Sequence, residues 1–426
     1  MHLPVLAEKE LMSVLLSLSL LLLFSFSFGR LFQALHTPKV VGQITGGIVL
    51  GSTCLALFFP DTMLGIFQSF EEEGKALNIF YQMGLIFLMF ASGLNTRIGM
   101  DRGNAKLVGI LFAGATILPF MAGTLLYPWF QADFIGELRS EGAFLLVFLI
   151  SLAVTSIPVI SQIFFDLKLM GTNFANTVLT VATIQDLFLW IFLNVAISMA
   201  SGQGTEFSSM AVTILVTLFL FGAAHQASKL ASLPLPMSSA SFCTLTISFL
   251  FLMVVALSYF HINLMYSAFI TGYIVKFLAQ RKEEYLEKVR ALSDVSFSFF
   301  IPVYFALIGI QLNLIHDFSL ERFLAYFVIA FGLEFIGCYL ALQLTSLKKK
   351  AILNFSIVMN ARGGPGIVLA TVAYYYKIIN VEFFTILILV TMVSSALAGY
   401  WLEYQKKEDA SIFMEMGETA REEKTA

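Results

Sequence analysis

Three ionisable side chains stand in the middle of long apolar runs: Asp186, Glu334 and Arg362. A charge at the centre of a lipid-spanning helix is expensive, and marks a functional hypothesis by default. Asp294 is a fourth, but it sits near the start of its run beside a basic loop, where an interfacial position suffices. Two runs also carry helix-breaking chemistry. One reads Ala153-Val154-Thr155-Ser156-Ile157-Pro158, the other Asn360-Ala361-Arg362-Gly363-Gly364-Pro365-Gly366. Proline removes a backbone donor and clashes with the preceding turn, and clustered glycines favour unwinding. Unwound backbone at membrane depth is tolerated only where it lines a protein-buried or wet cavity. Half-helix ends then point at the membrane centre, where freed carbonyls and the hydroxyls of Thr155 and Ser156 replace part of a cation's water shell. Asp186 supplies the negative charge, with Gln185 beside it, and a proton and a monovalent cation compete for that one carboxylate. Such competition produces exchange when only the loaded protein reorients. Arg362, with Asn360 nearby, is assigned to charge balance, against either the carbonyl ends of the broken helices or a carboxylate. Glu334 has two readings, a second ion-binding carboxylate near Asp186 or a structural group that is protonated or paired with Arg362.

The elements that must hold these residues are membrane spans. Of 426 residues, 58% are hydrophobic and 12% charged, against about 25% charged in soluble domains. The mean hydropathy is +0.85. A soluble enzyme core, secretion and nucleic-acid binding are excluded at this step. The apolar runs have the length of about twenty residues that crosses a ~30 Å hydrocarbon layer. About thirteen spans are expected, near 11–29, 39–59, 75–95, 104–128, 142–167, 173–200, 208–227, 239–260, 263–280, 291–313, 319–345, 350–376 and 380–403. They are too long, and alternate too little, for strands of a barrel. Cys54, Cys243 and Cys338 lie inside apolar runs with no CxxC pair, and read as small buried hydrophobes. No cofactor is called for. The first run, Leu11 to Phe28, lacks a small-residue cleavage site and reads as a retained helix.

Lys and Arg in the short loops set the orientation. One set of loops carries Arg30 and Lys39; Arg97, Arg102 and Lys106; Lys168; Lys229; Lys276, Arg281, Lys282, Lys288 and Arg290; Lys348 to Lys350; then Lys406 and Lys407. The alternate loops hold Lys75, Arg139, Arg322 and Lys377, alongside the acids Glu71, Glu72 and Glu73. The basic side is expected to be cytoplasmic, with the N-terminus outside and the C-terminus inside. The fifth span matches the twelfth if spans 1–6 and 8–13 are repeats, with the seventh as linker. The odd offset inverts the second repeat. The fold class is therefore an all-α polytopic membrane protein with two inverted repeats and crossed discontinuous helices, broken at Pro158 and at Gly363, Gly364 and Pro365. Matched breaks of this kind are the sequence pointer to a secondary transporter's site. An intramembrane protease would instead need two aspartates on neighbouring helices, commonly in Gly-x-Gly-Asp, which is absent here.

The motifs around these breaks resemble the monovalent cation:proton antiporter-2 family, the sodium/proton antiporter fold that includes Kef-type membrane domains. The resemblance rests on the stretch from Thr155 to Leu167, on Ala182-Thr-Ile-Gln-Asp-Leu, and on Gly42-Gln-Ile-Thr-Gly-Gly-Ile-Val-Leu-Gly. Gly84-Leu-Ile-Phe-Leu-Met-Phe-Ala-Ser-Gly-Leu, Phe300-Ile-Pro-Val-Tyr-Phe-Ala-Leu-Ile-Gly-Ile-Gln-Leu and Arg362-Gly extend it over nearly the whole membrane region. It implies a homodimer that exchanges protons for Na⁺ or K⁺ by alternating access in a bacterial inner membrane. Core helices near 104–200 and 319–403 would move against dimerisation or scaffold helices near 11–95 and 239–313, joined by a linker near 208–227. Residues 1–403 would be the transport domain and 404–426 a short cytoplasmic tail. The resemblance matches Asp186 to the family's essential carboxylate, and Thr155 and Ser156 to the unwound crossing segment, so that the cation would sit on these three. Members with paired aspartates usually carry a lysine in Lys-x-x-Gly on the eleventh span. Here the pairs are Gln185-Asp186 and Glu334-Phe-Ile-Gly, as Kef-type members have at the first. The alternative is accordingly a Kef-type K⁺ efflux membrane subunit lacking its nucleotide-binding domain.

Overall fold

The computed structural model describes residues 6–35, 37–95, 105–170, 172–201, 211, 214–220, 222–224, 226, 238–260, 262–279 and 283–408. Arg97, Arg102, Lys229, Arg281, Lys282, most of the expected linker and the tail beyond Glu408 lie outside them. Among the described residues the secondary structure is helical, with one isolated antiparallel bridge, Ile135 to Ile379. Ten helices among the described residues are long and apolar enough to cross a membrane. Two shorter apolar helices, Ile214–Ala224 and Leu264–Leu278, fall where the seventh and ninth spans are expected. The twelfth is divided into Lys349–Val358 and Gly363–Tyr375, so neither half reaches spanning length. The all-helical, polytopic architecture read from the hydropathy is the one observed.

The chain divides into two compact units. One consists of Met1–Leu94, Ala223–Ala256 and Ser267–Phe318. Its helices Glu8–Ala34, Lys39–Leu50 and Ile301–Gln311 approach through glycine: a Cβ on Gly47 would lie 2.0 Å from the Ala306 carbonyl oxygen. Close backbone approach is how helices associate without a hydrophobic drive from lipid, and it explains the glycines of the Gly42–Gly51 motif. The same unit buries Glu73 completely. Glu73 is not a solvated loop acid like its neighbours but the first residue of the helix Glu73–Asn95. Its Oε1 accepts from Ser13 Oγ at 2.9 Å and Ser17 Oγ at 3.1 Å, and its Oε2 from Ser69 N–H at 2.7 Å and Ser69 Oγ at 2.9 Å.

The other unit consists of Asn95–Gly222, Leu257–Tyr266 and Ser319–Ala426. It holds both broken spans and all three mid-membrane charges. Phe134, Phe148, Tyr326 and Phe383 make its aromatic centre, with Phe134 and Phe383 stacked at 4.7 Å and Tyr326 edge-on to Phe383 at 5.0 Å. Offset and edge-on ring pairs contribute ~0.5–1.5 kcal/mol beyond the area they bury. At one end of these helices Arg322 bridges Glu382 at 2.5 Å and Asp133 at 3.0 Å, and Gly136 N–H bonds the Ile378 carbonyl at 2.8 Å. Three helices, Ala105–Phe134, Leu320–Leu342 and Val381–Glu408, are thereby held in fixed register around the site.

Candidate functional site

Each broken span restarts with its first backbone donors answered, the first by a local cap and the second by a distant hydroxyl. The helix Glu141–Leu152 gives way to extended backbone, then resumes as Ile157–Asp166 with Pro158 in its first turn, where a missing N–H costs no hydrogen bond. Ser156 caps that restart, its Oγ accepting from Val159 N–H at 3.3 Å. The helix Lys349–Val358 resumes at Gly363–Tyr375. Gly363 has φ +37°, and a Cβ there would strike Ser156 Oγ and Val159 Cγ2, each at 2.3 Å, so only glycine fits. Gly363 N–H donates to Ser395 Oγ at 3.1 Å.

The two breaks meet. Ser156 N–H donates to the Ala361 carbonyl at 2.7 Å, and the Thr155 hydroxyl to the Met359 carbonyl at 2.6 Å. A helix C-terminus leaves carbonyls without intrahelical partners, and here the opposite break supplies them. The guanidinium of Arg362, buried with 1% exposed, donates to the carbonyls of Ser151, Leu152 (3.1 Å) and Ala330 (2.7 Å). It also pairs with Glu334 at 3.1 Å. Arg362 thus has both kinds of contact left open by the sequence, helix-end carbonyls and a carboxylate. The other Glu334 oxygen lies 3.3 Å from Thr155 Oγ1. Asn360 turns back on its own helix, Nδ2 donating to the Ser356 carbonyl at 3.0 Å. A small cavity, with room for roughly one water, lies beside Arg362, walled also by Ser151, Val154, Gly366 and Thr391.

Asp186 is placed differently. It lies midway along the helix Asn173–Ala200, whose N-terminus Thr172 caps by accepting from Ala175 N–H at 3.1 Å. It is fully buried, and among the described residues neither carboxylate oxygen has a hydrogen-bond donor. The nitrogen of Gln185 reaches Thr116 Oγ1 at 3.1 Å and the carbonyls of Ala115 and Ala153, each at 3.4 Å, while its Oε1 has no partner. Gln185 therefore links the Asp186 helix to the first break. The structure brings Thr155, Ser156, Glu334 and Arg362 into one bonded group, and no hydrogen bond joins Asp186 to it. Burying a carboxylate without partners costs several kcal/mol unless a proton or cation compensates it. Chemically, one group pairs a carboxylate with a guanidinium, and the other presents carboxylate oxygens that no protein donor meets.

Three contributors lie outside the sequence reading. Ser395 holds Gly363, Tyr326 Oη bonds Ser151 Oγ at 2.5 Å, and Thr116 holds Gln185. For Tyr326 and Ser395 no signal distinguishes them from ordinary span residues. Thr116 lies in a five-residue π-helical turn, Ala113–Ile117, a rare distortion often found at functional sites.

Two halves, each cut at mid-span and bonded to each other at the cuts around buried charge, define a membrane protein of the secondary-transporter class. Within that class the chain belongs to the transmembrane sodium/hydrogen exchanger family, whose model matches residues 18–404. It is similar to Cation/H⁺ antiporter 20 of Arabidopsis thaliana, 25% identical over 393 residues, covering 86% of this chain and 45% of that protein. K⁺/H⁺ antiporter 1 of Saccharomyces cerevisiae is likewise 25% identical, over 85% of this chain and 43% of that protein. The chain thus spans less than half the length of these relatives. An Na⁺/H⁺ antiporter of Enterococcus hirae is 22% identical over 87% of this chain and 92% of that protein. Among solved structures, the sodium proton antiporter MjNhaP1 of Methanocaldococcus jannaschii shares the fold, with TM-score 0.65 at 17% identity, covering 93% of this chain and 97% of that one.

Proposed function

We propose that the chain is a monovalent cation/proton antiporter that works by alternating access, with Asp186 taking a proton or a cation in turn. The observation that carries this reading is the contrast at mid-membrane: a fully buried carboxylate with no hydrogen-bond partner among the described residues, and a cation, Arg362, already matched to Glu334 and to the helix-end carbonyl of Leu152. A fixed positive charge at Asp186 would remove the need for a mobile one; its absence there leaves the place to be filled by the transported ions. On this reading the Glu334–Arg362 pair is structural, and one exchanging carboxylate favours one-for-one, electroneutral exchange. Thr155 and Ser156 stand at the crossing as hydroxyls that a hydrated cation meets on its way. The unit with the broken spans is the moving core and the other unit the scaffold through which two copies pair. The N-terminus lies outside and the C-terminus in the cytoplasm of a bacterial inner membrane.

The names of the relatives, divided between Na⁺, K⁺ and unspecified cations, agree with antiport and leave the ion open. The Gln185-Asp186 pair favours a second reading, a Kef-type K⁺ efflux membrane subunit that works with a nucleotide-binding partner. One experiment separates them. In inverted vesicles holding a preformed pH gradient, Na⁺, K⁺, Li⁺ and Rb⁺ are added in parallel and the gradient followed by dye quench. At least one ion collapses the gradient if the chain is an antiporter. Potassium efflux without proton movement selects the second reading, and no response to any ion overturns both.

A further inference from the structure

Three of the buried oxygens without a hydrogen-bond partner at this site belong to consecutive residues, both carboxylate oxygens of Asp186 and Oε1 of Gln185; a fourth, Oδ1 of Asn360, lies at the second break. Hard cations are bound by oxygen ligands, carboxylates and amide carbonyls among them, so the orientation of the Gln185 amide decides whether it can serve. That orientation follows from its neighbours. The atom at one end of the amide lies 3.4 Å from two backbone carbonyl oxygens, Ala115 and Ala153, which can only accept. The nitrogen must be at that end. Its shortest bond, 3.1 Å, is to Thr116 Oγ1, a buried hydroxyl on the π-helical turn Ala113–Ile117. The turn is itself fixed. A Cβ on Gly114 would lie 2.6 Å from the Gly337 carbonyl oxygen, and one on Gly337 2.2 Å from that of Gly114, so the two backbones touch.

Building on the antiport reading above, we propose that Thr116 is a positioning residue for the transported cation: it holds the Gln185 amide by its nitrogen and so leaves Oε1 free as a neutral ligand that acts with the Asp186 carboxylate. Thr116 touches no ion. It acts through Gln185, and its effect is on affinity and ion choice rather than on turnover. A valine at this position keeps the branched shape and loses the shortest of the three bonds that hold the amide, so that only the two 3.4 Å contacts to the Ala115 and Ala153 carbonyls keep Oε1 in place.

The test is cation-dependent exchange in proteoliposomes by wild type, Thr116→Val, Thr116→Ser and Gln185→Leu, with Na⁺, K⁺, Li⁺ and Rb⁺. The expected result for Thr116→Val is a half-saturating concentration raised roughly three- to tenfold, the range one lost hydrogen bond converts to, with maximal rate kept and the order of ions altered. Thr116→Ser restores the wild-type values. Gln185→Leu raises the half-saturating concentration at least as far as Thr116→Val. A half-saturating concentration within twofold of wild type in Thr116→Val, with the same ion order, overturns the proposal. Should Thr116→Val fail to run as a single species on size exclusion, an unchanged half-saturating concentration in Gln185→Leu overturns it equally. Retention of radioactive Na⁺ and Rb⁺ by purified protein separates the two levels. Wild type that binds without exchanging refutes antiport, while the same variants compared by binding still decide the role of Thr116. Wild type that neither binds nor exchanges any of the four ions refutes both.

Discussion

Glu73 and Asp186 are both carboxylates with no exposed surface, one in each compact unit. The resemblance ends there. Glu73 accepts from three hydroxyls and a backbone N–H, all between 2.7 and 3.1 Å. Asp186 accepts from nothing. A buried charge with several donors is spread over its hydrogen bonds and ties the elements that supply them. For Glu73 these are the first helix, through Ser13 and Ser17, and the corner at Ser69. A buried charge without donors is tolerable only if something else arrives to meet it. Glu334 lies between the extremes, answered by Arg362, while the Thr155 hydroxyl 3.3 Å away gives its proton to the Met359 carbonyl. The lesson is that burial of a carboxylate does not by itself mark a transport site. The count of its donors does.

The largest expected effect breaks the contrast at its open end. Asp186→Asn keeps the shape and removes the charge, so cation-driven collapse of a pH gradient should fall to the level of protein-free vesicles, with folded yield unchanged. Retained exchange would refute the assignment. Next comes the matched pair. Arg362→Met strands Glu334 and leaves the helix-end carbonyls of Ser151 and Leu152 uncapped, and breaking a buried pair this way costs ~3–5 kcal/mol, read as a lower melting temperature in detergent. Adding Glu334→Met should recover part of that loss, since it removes the stranded charge but not the uncapped carbonyls; no recovery would mean the pair contributes nothing of its own. Glu73→Gln should cost about 1–3 kcal/mol, because an amide N–H₂ then faces donors, while exchange per folded molecule stays at wild-type rate. A shifted pH profile in Glu73→Gln would put that carboxylate in the transport cycle and collapse the comparison. The smallest effect lies at the surface. Glu137 holds the exposed Lys377 ammonium above its ordinary value of 10.5. A raised lysine stabilises the fold below that value and ceases to as pH climbs through the raised one. Glu137→Gln should therefore give a melting difference near the detection limit at neutral pH, vanishing in strong alkali.

How much of this was legible in the chain follows the same division. Pro158 and Gly363-Gly364-Pro365 announced both breaks, because the residues that interrupt a helix do so by their own covalent geometry. Asp186, Glu334 and Arg362 stood out because apolar neighbours made them conspicuous. The pairing of Arg362 was harder. The sequence left it open between carbonyl ends and a carboxylate, since nothing local says that Ala330 and Glu334 come within reach of it. Glu73 was read with Glu71 and Glu72 as a loop acid. The signal that separates it is the spacing of Ser13 and Ser17, four apart and so on one helix face, but its meaning depends on a partner 56 to 60 residues away. Thr116 carried no signal of its own. Its π-turn holds Gly114, whose backbone touches Gly337, a tertiary contact in a span whose sequence reads as regular helix.

The crossing of the two breaks also has an order in time. Leu152 and the guanidinium that caps its carbonyl are separated by 210 residues. During synthesis the first cut must therefore enter the bilayer with the carbonyls of Ser151 and Leu152 unanswered, and stay so until the second half has been made. Neither half is a finished object in lipid. Whatever shields that unfinished cut, whether water, lipid headgroup or the insertion machinery, must hold through the making of half a protein, and the last spans to arrive complete the first.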